Sequence, residues 1–113
     1  MDTVTDQLIV ENKDGVGRIT FDNQQRRNAL TYEMWSGLPI VLADFAADDA
    51  VRVIVLAGAG GKAFSAGADI SEFPRVRANA AQARDYGAVV AGTLEALRDC
   101  VHPTVAAIQG DPI

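Results

Sequence analysis

Cysteine occurs once, at Cys100, so the chain can form no internal disulfide and lacks the thiolates that a cysteine-ligated metal site requires. A reducing interior is the default compartment. Histidine also occurs once, and His102 sits beside Pro103 with no serine or cysteine nucleophile pattern around it, which reads as a capping or surface residue rather than a base. Basic residues are few: 10 Lys and Arg against 15 Asp and Glu give a net charge of −5, and Arg26-Arg27 is the only adjacent basic pair. That field is too weak for nucleic acid, although a few local arginines suffice for a small anionic ligand. No apolar run approaches the ~20 residues that cross a bilayer. Asp2, Asp6, Glu11 and Asp14 interrupt the first stretch of chain, unlike a secretory leader. These absences predict a soluble, cytoplasmic protein with no nucleic-acid or membrane partner and no metal.

What is present fits one compact unit over residues 1–113, with 49% hydrophobic and 22% charged residues, no linker, no repeat and no low-complexity segment. Leu8 to Glu11 and Val16 to Phe21 are short β-prone runs around Asn12-Lys13-Asp14-Gly15, whose Asp-Gly predicts an antiparallel hairpin. Leu30, Met34, Leu38, Leu42 and Phe45 recur every three or four positions, which predicts a helix with one buried face. Pro39 inside it removes a backbone donor, an effect of about 3 kcal/mol in an unsupported helix that could kink or split it near Trp35 to Ser36; the expectation is a helix that is kept and bends. Val51 to Ala57 is β-branched and barely alternates, as expected of a central parallel strand buried on both faces. Tyr86, Val90, Leu94, Leu97 and Val101 mark a second helical face between about Ala78 and Val101, ended by Pro103, and Thr104 to Ile108 predicts another buried strand. The order β-β-α-β-(loop and short helix)-α-β is an α/β fold. Trp35 and Tyr86 read as packing residues on their helices, and Glu33, Asp48 and Asp49 as solvated charges.

The run Lys62-Ala63-Phe64-Ser65-Ala66-Gly67-Ala68-Asp69-Ile70-Ser71-Glu72-Phe73 carries the chemistry. Small residues at Ala66, Gly67 and Ala68 let a ligand approach the main chain, and Asp69 can cap a following helix whose first free N–H groups face that ligand. A carbonyl oxygen held there is polarised. An ordinary turn into a short helix is the alternative. Upstream, Gly58-Ala59-Gly60-Gly61-Lys62 follows a strand but fails as a phosphate loop, which needs glycine at Leu56 and a hydroxyl at Ala63; a dinucleotide fingerprint fails too, because Phe64 to Gly67 interrupts the required helix.

Ala63 to Ile70 resembles the signature stretch of the enoyl-CoA hydratase/isomerase, or crotonase, superfamily. The likeness takes in Asn28-Ala29-Leu30 before the amphipathic helix, Val51 to Leu56 with its glycine-rich turn, and Pro103 to Gly110, or about residues 8 to 110. It implies the N-terminal portion of a crotonase-like ββα superhelix. It further implies an acyl-CoA thioester ligand, with coenzyme A as part of the substrate and no tightly bound cofactor. Ala68 becomes the first backbone donor of an oxyanion hole. Ala66, Asp69 and Ile70 lie along the adenine and pantetheine path, Arg27 stands at the coenzyme's phosphate end, and Ala29 and Gly67 are further coenzyme-binding positions. The complete family form is expected to be a homo-oligomer, a trimer or hexamer. The family's second oxyanion donor and proton-handling glutamates fall after Gly110, where this sequence has Asp111-Pro112-Ile113 and Asp111 as the one carboxylate. The expectation is a partial domain holding half a site, and whether it is an enzyme by itself stays open. The alternative is a non-catalytic binding or assembly module pairing with a full-length crotonase-like subunit. Acyl-chain specificity and the choice among hydratase, isomerase and related chemistries lie in side chains absent from this run.

Overall fold

The structure, a computed structural model, describes residues 5–110. Asp111 lies outside the described residues. Strands β1 (Leu8–Lys13) and β2 (Val16–Phe21) pair antiparallel, closed by Asp14 and Gly15 at φ of 55° and 83°. Two successive positive φ values match the twist of the strands they join, which is why Asp-Gly marks such a hairpin. After a long loop come helix α1 (Tyr32–Ala46) and strand β3 (Val53–Gly58), which runs parallel to β2. The short helix α2 (Phe73–Val76) and the long helix α3 (Ala80–Arg98) lead to β4 (Thr104–Ala107), parallel to β3, so the sheet order is β1-β2-β3-β4.

One face of α1 makes the core. Met34, Leu38, Val41, Leu42 and Phe45 are buried with Ile19, Phe21 and Ile54 of the sheet. The helix starts where the Thr31 hydroxyl accepts from the Met34 amide at 3.2 Å, two residues later than the apolar periodicity suggested. Gly17 is forced by packing: a Cβ there would sit 2.9 Å from the Phe45 ring.

Pro39 does not split α1, which runs unbroken from Tyr32 to Ala46. Its missing N–H would have bonded to the Trp35 carbonyl one turn earlier. That carbonyl instead accepts from the hydroxyl of Thr93 at 2.6 Å. The donor lost from α1 is therefore replaced from α3, and the replacement locks the two helices together. It also sets the rotation of α3. Tyr86 is buried and Leu97 packs against the core as the sequence suggested, whereas Leu94 is 54% and Val101 73% exposed and the fully buried Thr93 takes the inward place expected of Leu94. A polar residue displaced an apolar one because a buried carbonyl needed a donor.

The strands are also less enclosed than expected. In β3 only Ile54 and Ala57 are buried, and β4, expected to be buried, is an exposed edge strand with Val105 half-exposed and Ile108 exposed just beyond it. Helix α1 covers one face of the sheet; among the described residues nothing encloses β4.

Replacing Thr93 with Val should lower stability by about 1–3 kcal/mol, the cost of leaving a buried carbonyl unpaired. In a Pro39→Ala background the restored amide serves Trp35, and the same replacement should cost clearly less. Urea unfolding of the four proteins gives the coupling; equal costs in both backgrounds would refute the exchange of donors.

Candidate functional site

The site is built on a turn that two consecutive left-handed residues force. Arg27 and Asn28 adopt φ of 55° and 59°, a conformation that asparagine accepts more easily than most residues. The buried Asn28 amide repays its strain. Its Nδ2 donates to the carbonyls of Ala59 at 3.0 Å and Ala63 at 2.9 Å, and its Oδ1 accepts from the Asn23 amide at 2.9 Å. One side chain thus joins the exit of β2, the exit of β3 and the start of the small-residue run. Gly58 allows the close approach: a Cβ there would lie 2.1 Å from the Ala63 carbonyl.

The run then lies alongside Leu30. The Leu30 amide donates to the Gly67 carbonyl at 2.6 Å and the Asp69 amide donates to the Leu30 carbonyl at 2.9 Å, a one-residue parallel bridge between Leu30 and Ala68. In such a bridge the flanking residues face the partner and the middle residue turns its own N–H and C=O the other way. The neighbouring amides are occupied: Ala66 donates to the Arg27 carbonyl at 3.0 Å and Gly67 to the Ser65 hydroxyl at 3.2 Å. Of the amides of 66–69, only that of Ala68 has no acceptor among the described residues. Gly67 has φ of 93°, with open space where a Cβ would stand. Glycine is needed there for its backbone angle, and the main chain in front of it stays accessible.

Asp69 is 6% exposed and turned inward. It accepts from the Ser71 amide at 3.1 Å, from the Ser71 hydroxyl, and from Asn23 Nδ2 at 3.4 Å. Burial pushes its pKa up, but the Ser71 and Asn23 hydrogen bonds and the nearby Arg26 charge outweigh it, leaving the carboxyl below its ordinary 3.8. The capping role is as the sequence suggested, but what it caps differs. Ile70–Glu72 is a single 3-10 turn leading into the four-residue α2, too short for a useful dipole, so the outward donor is the strand-like Ala68 amide and not a helix end.

A shallow cavity of about 460 Å³ brings together Arg27, Ala29, Ala66, Ala68, Asp69 and Ile70. Gly67, the remaining predicted residue, lines a separate apolar groove of about 450 Å³ with Phe64, Trp35, Leu97 and Ile108. Ala68 and Gly67 are therefore adjacent residues that line different hollows. A further hollow of about 370 Å³, between Arg27 and Lys62, continues on the other side of Arg27. The other candidates stay local. His102 Nε2 lies 3.0 Å from the Phe45 carbonyl, capping the last turn of α1, and Asp48 accepts from Asn12 at 2.7 Å. Gly60 and Gly61 close a 3-10 turn and open no helix, as the failed phosphate-loop pattern required. Among the described residues no three His, Cys, Asp or Glu side chains gather to hold a metal, and no helix is long and apolar enough to cross a membrane.

Residues 11–113 match the family profile described as Enoyl-CoA hydratase/isomerase. The chain belongs to that family. It is 38% identical over 103 residues to a probable enoyl-CoA hydratase of Rhizobium meliloti, covering 91% of this chain and 38% of the relative. Among solved structures it is similar to an enoyl-CoA hydratase/carnithine racemase from Magnetospirillum magneticum, with TM-score 0.86 and 40% identity over 94% of this chain and 40% of that one. A putative enoyl-CoA hydratase/isomerase family protein from Hyphomonas neptunium gives TM-score 0.88 and 33% identity over 96% and 42%. The α/β fold is thus the crotonase fold, and this family member spans about 40% of the length of its relatives.

Three contributors were not assigned a role from the sequence. Asn28 was visible as part of Asn28-Ala29-Leu30, and an asparagine ahead of a helix start is a signal for the left-handed turn it makes. Asn23 and Lys62 carried no such signal.

Asn28→Ala should cost about 3 kcal/mol, from orphaned backbone groups and a left-handed alanine, and Asn28→Gly about 1 kcal/mol less because only the backbone strain is relieved. Chemical unfolding measures both. Because the folded pKa of Asp69 is depressed, its contribution is complete above 3.8 and is lost as pH falls through the folded value. Asp69→Asn should flatten the acid limb of the stability curve below about pH 4 and leave its slope near neutrality unchanged.

Proposed function

We propose that the chain binds an acyl-CoA thioester and that the Ala68 amide donates to the thioester carbonyl oxygen. One observation carries this reading: Ala68 presents an outward N–H without an acceptor among the described residues, while the amides on either side of it are held by Leu30 and Ser65. An amide fixed in this way needs no reorganisation when negative charge develops on the oxygen. Removing one such donor in an enzyme typically costs about 2.7–4 kcal/mol of transition-state stabilisation. The coenzyme portion lies in the cavity of Arg27, Ala29, Ala66, Asp69 and Ile70, with Lys62 beyond Arg27 as a second cation for phosphate, and the acyl portion enters the apolar groove past Gly67. Coenzyme A is then part of the substrate and not a resident cofactor.

In this reading the chain's own residues bind and polarise. The second donor and the carboxylates for hydration or isomerisation belong to the part of the relatives that the chain does not span. The activity of the assembled site, hydratase or isomerase, and its homo-oligomeric form are part of the proposal. A second reading, an assembly module for a longer family member, is favoured by the exposure of Leu94, Val101, Val105 and Ile108, which together leave apolar surface on α3, the turn after it, and β4 and its continuation. Co-elution of the chain with a full-length family member supports it, and separate elution at micromolar concentrations contradicts it.

Ala68→Pro is the discriminating variant, because it deletes an N–H that no group among the described residues accepts. Calorimetric titration with crotonyl-CoA should show at least tenfold weaker binding by the variant at unchanged melting temperature. Equal affinity would remove Ala68 from the site.

A further inference from the structure

We propose that Glu72 is a positioning residue for the Ala68 amide, holding the turn that follows Ala68 against the start of α1; this rests on the thioester reading above. The Glu72 side chain is 12% exposed, and its Oε1 accepts from the Tyr32 amide at 2.7 Å. Tyr32 is the first residue of α1, and its N–H is one of those that a helix start leaves without a partner inside the helix. A carboxylate is favoured at that end, where the helix dipole is positive. Thr31 caps the Met34 amide, so the start of α1 takes one acceptor from its own sequence and one from forty residues later.

The contact matters for the site because of where its two ends lie. Leu30, two residues before Tyr32, makes the bridge that turns the Ala68 N–H outward, and Glu72 lies four residues after Ala68. The run from Ala68 to Glu72 is therefore held at one end by Leu30 and at the other by Tyr32, on one short stretch of chain. Between those ends the run is stiffened by its own bonds: the Glu72 amide donates to the Asp69 carbonyl at 3.2 Å and the Ser71 amide to the Asp69 carboxylate at 3.1 Å. Ile70, 72% exposed, and the exposed Ser71 bury no apolar side chain that could anchor the turn. Phe73 packs on Tyr86 at 5.6 Å between centroids and so ties the turn to α3, whereas Glu72 ties it to α1, the helix that follows Leu30. Releasing Glu72 lets the turn move with α2 about the Asp69 amide, and the Ala68 N–H loses its fixed direction. Arg75 pairs with the other oxygen of Glu72 at 2.8 Å, but its own side chain is 74% exposed, so the bond to Tyr32 and not the ion pair holds the turn.

The test compares butyryl-CoA with S-butyl coenzyme A, a thioether of the same length that lacks the carbonyl, by calorimetric titration of the full 113-residue chain. Their affinity ratio isolates the contact at Ala68, because the two ligands share the coenzyme and the hydrocarbon. The unmodified chain is expected to bind butyryl-CoA about tenfold tighter. Glu72→Asp keeps the charge but draws the carboxylate back by one methylene from the Tyr32 amide, and the ratio should fall toward one. Glu72→Gln keeps the reach and an acceptor oxygen without the charge, and should hold the ratio within about twofold of the unmodified chain's. Lost stability alone weakens both ligands by the same factor and leaves the ratio untouched. The unmodified chain gives a second measurement, which decides alone should Glu72→Asp fail to fold. Coupling between two sites is reciprocal, so saturating butyryl-CoA should slow exchange of the Tyr32 amide more than saturating S-butyl coenzyme A does. A ratio unchanged in Glu72→Asp, an equal fall in Glu72→Gln, or equal slowing of Tyr32 by the two ligands would overturn the role of Glu72 and leave the thioester reading standing. A ratio of one in the unmodified chain would overturn both.

Discussion

The bridge between Leu30 and Ala68 is the constraint on which the site depends. Two hydrogen bonds, from Leu30 to the Gly67 carbonyl and from Asp69 to the Leu30 carbonyl, fix which amides of the small-residue run face inward. The outward direction of the Ala68 N–H follows from them by strand geometry alone. Leu30 holds its position because it opens the segment that Thr31 caps into α1, and because its side chain belongs to the core that α1 builds on the sheet. A backbone donor at the surface is thus positioned by side chains buried under the sheet.

The same economy appears where the chain breaks its own rules. Arg27 and Asn28 take left-handed angles, and the three hydrogen bonds of the Asn28 amide offset that strain while joining three loops. Pro39 removes a helical donor, and Thr93 restores it from the neighbouring helix. In both places a local defect is answered by a long-range polar contact, and each contact ties an element bearing the site to the core.

Much of the fold was legible from the sequence. Asp14-Gly15 fixed the hairpin, the three-and-four spacing fixed α1 and its buried face, and the rejection of the phosphate loop at Gly58 to Lys62 agrees with the turn found there. Periodicity failed where a polar residue took a core position, since no pattern of apolar residues reveals that Trp35 needs Thr93. It failed again at β4, where Thr104 to Ile108 has the composition of a buried strand but is exposed in the described residues. At the site, six of the seven residues chosen from the small-residue run and the turn before α1 share one cavity. Which amide faces outward could not be read from the run, because it depends on pairing with Leu30, nearly forty residues earlier.

Hydrogen exchange at individual backbone amides tests the central claim most directly. With no ligand, the Ala68 amide should exchange rapidly while its neighbour Asp69 and the bridging Leu30 are protected. Addition of an acyl-CoA thioester should slow Ala68 selectively, and coenzyme A alone should not. Protection of Ala68 equal to that of Asp69 in the free chain, or no slowing by the thioester, would contradict the account.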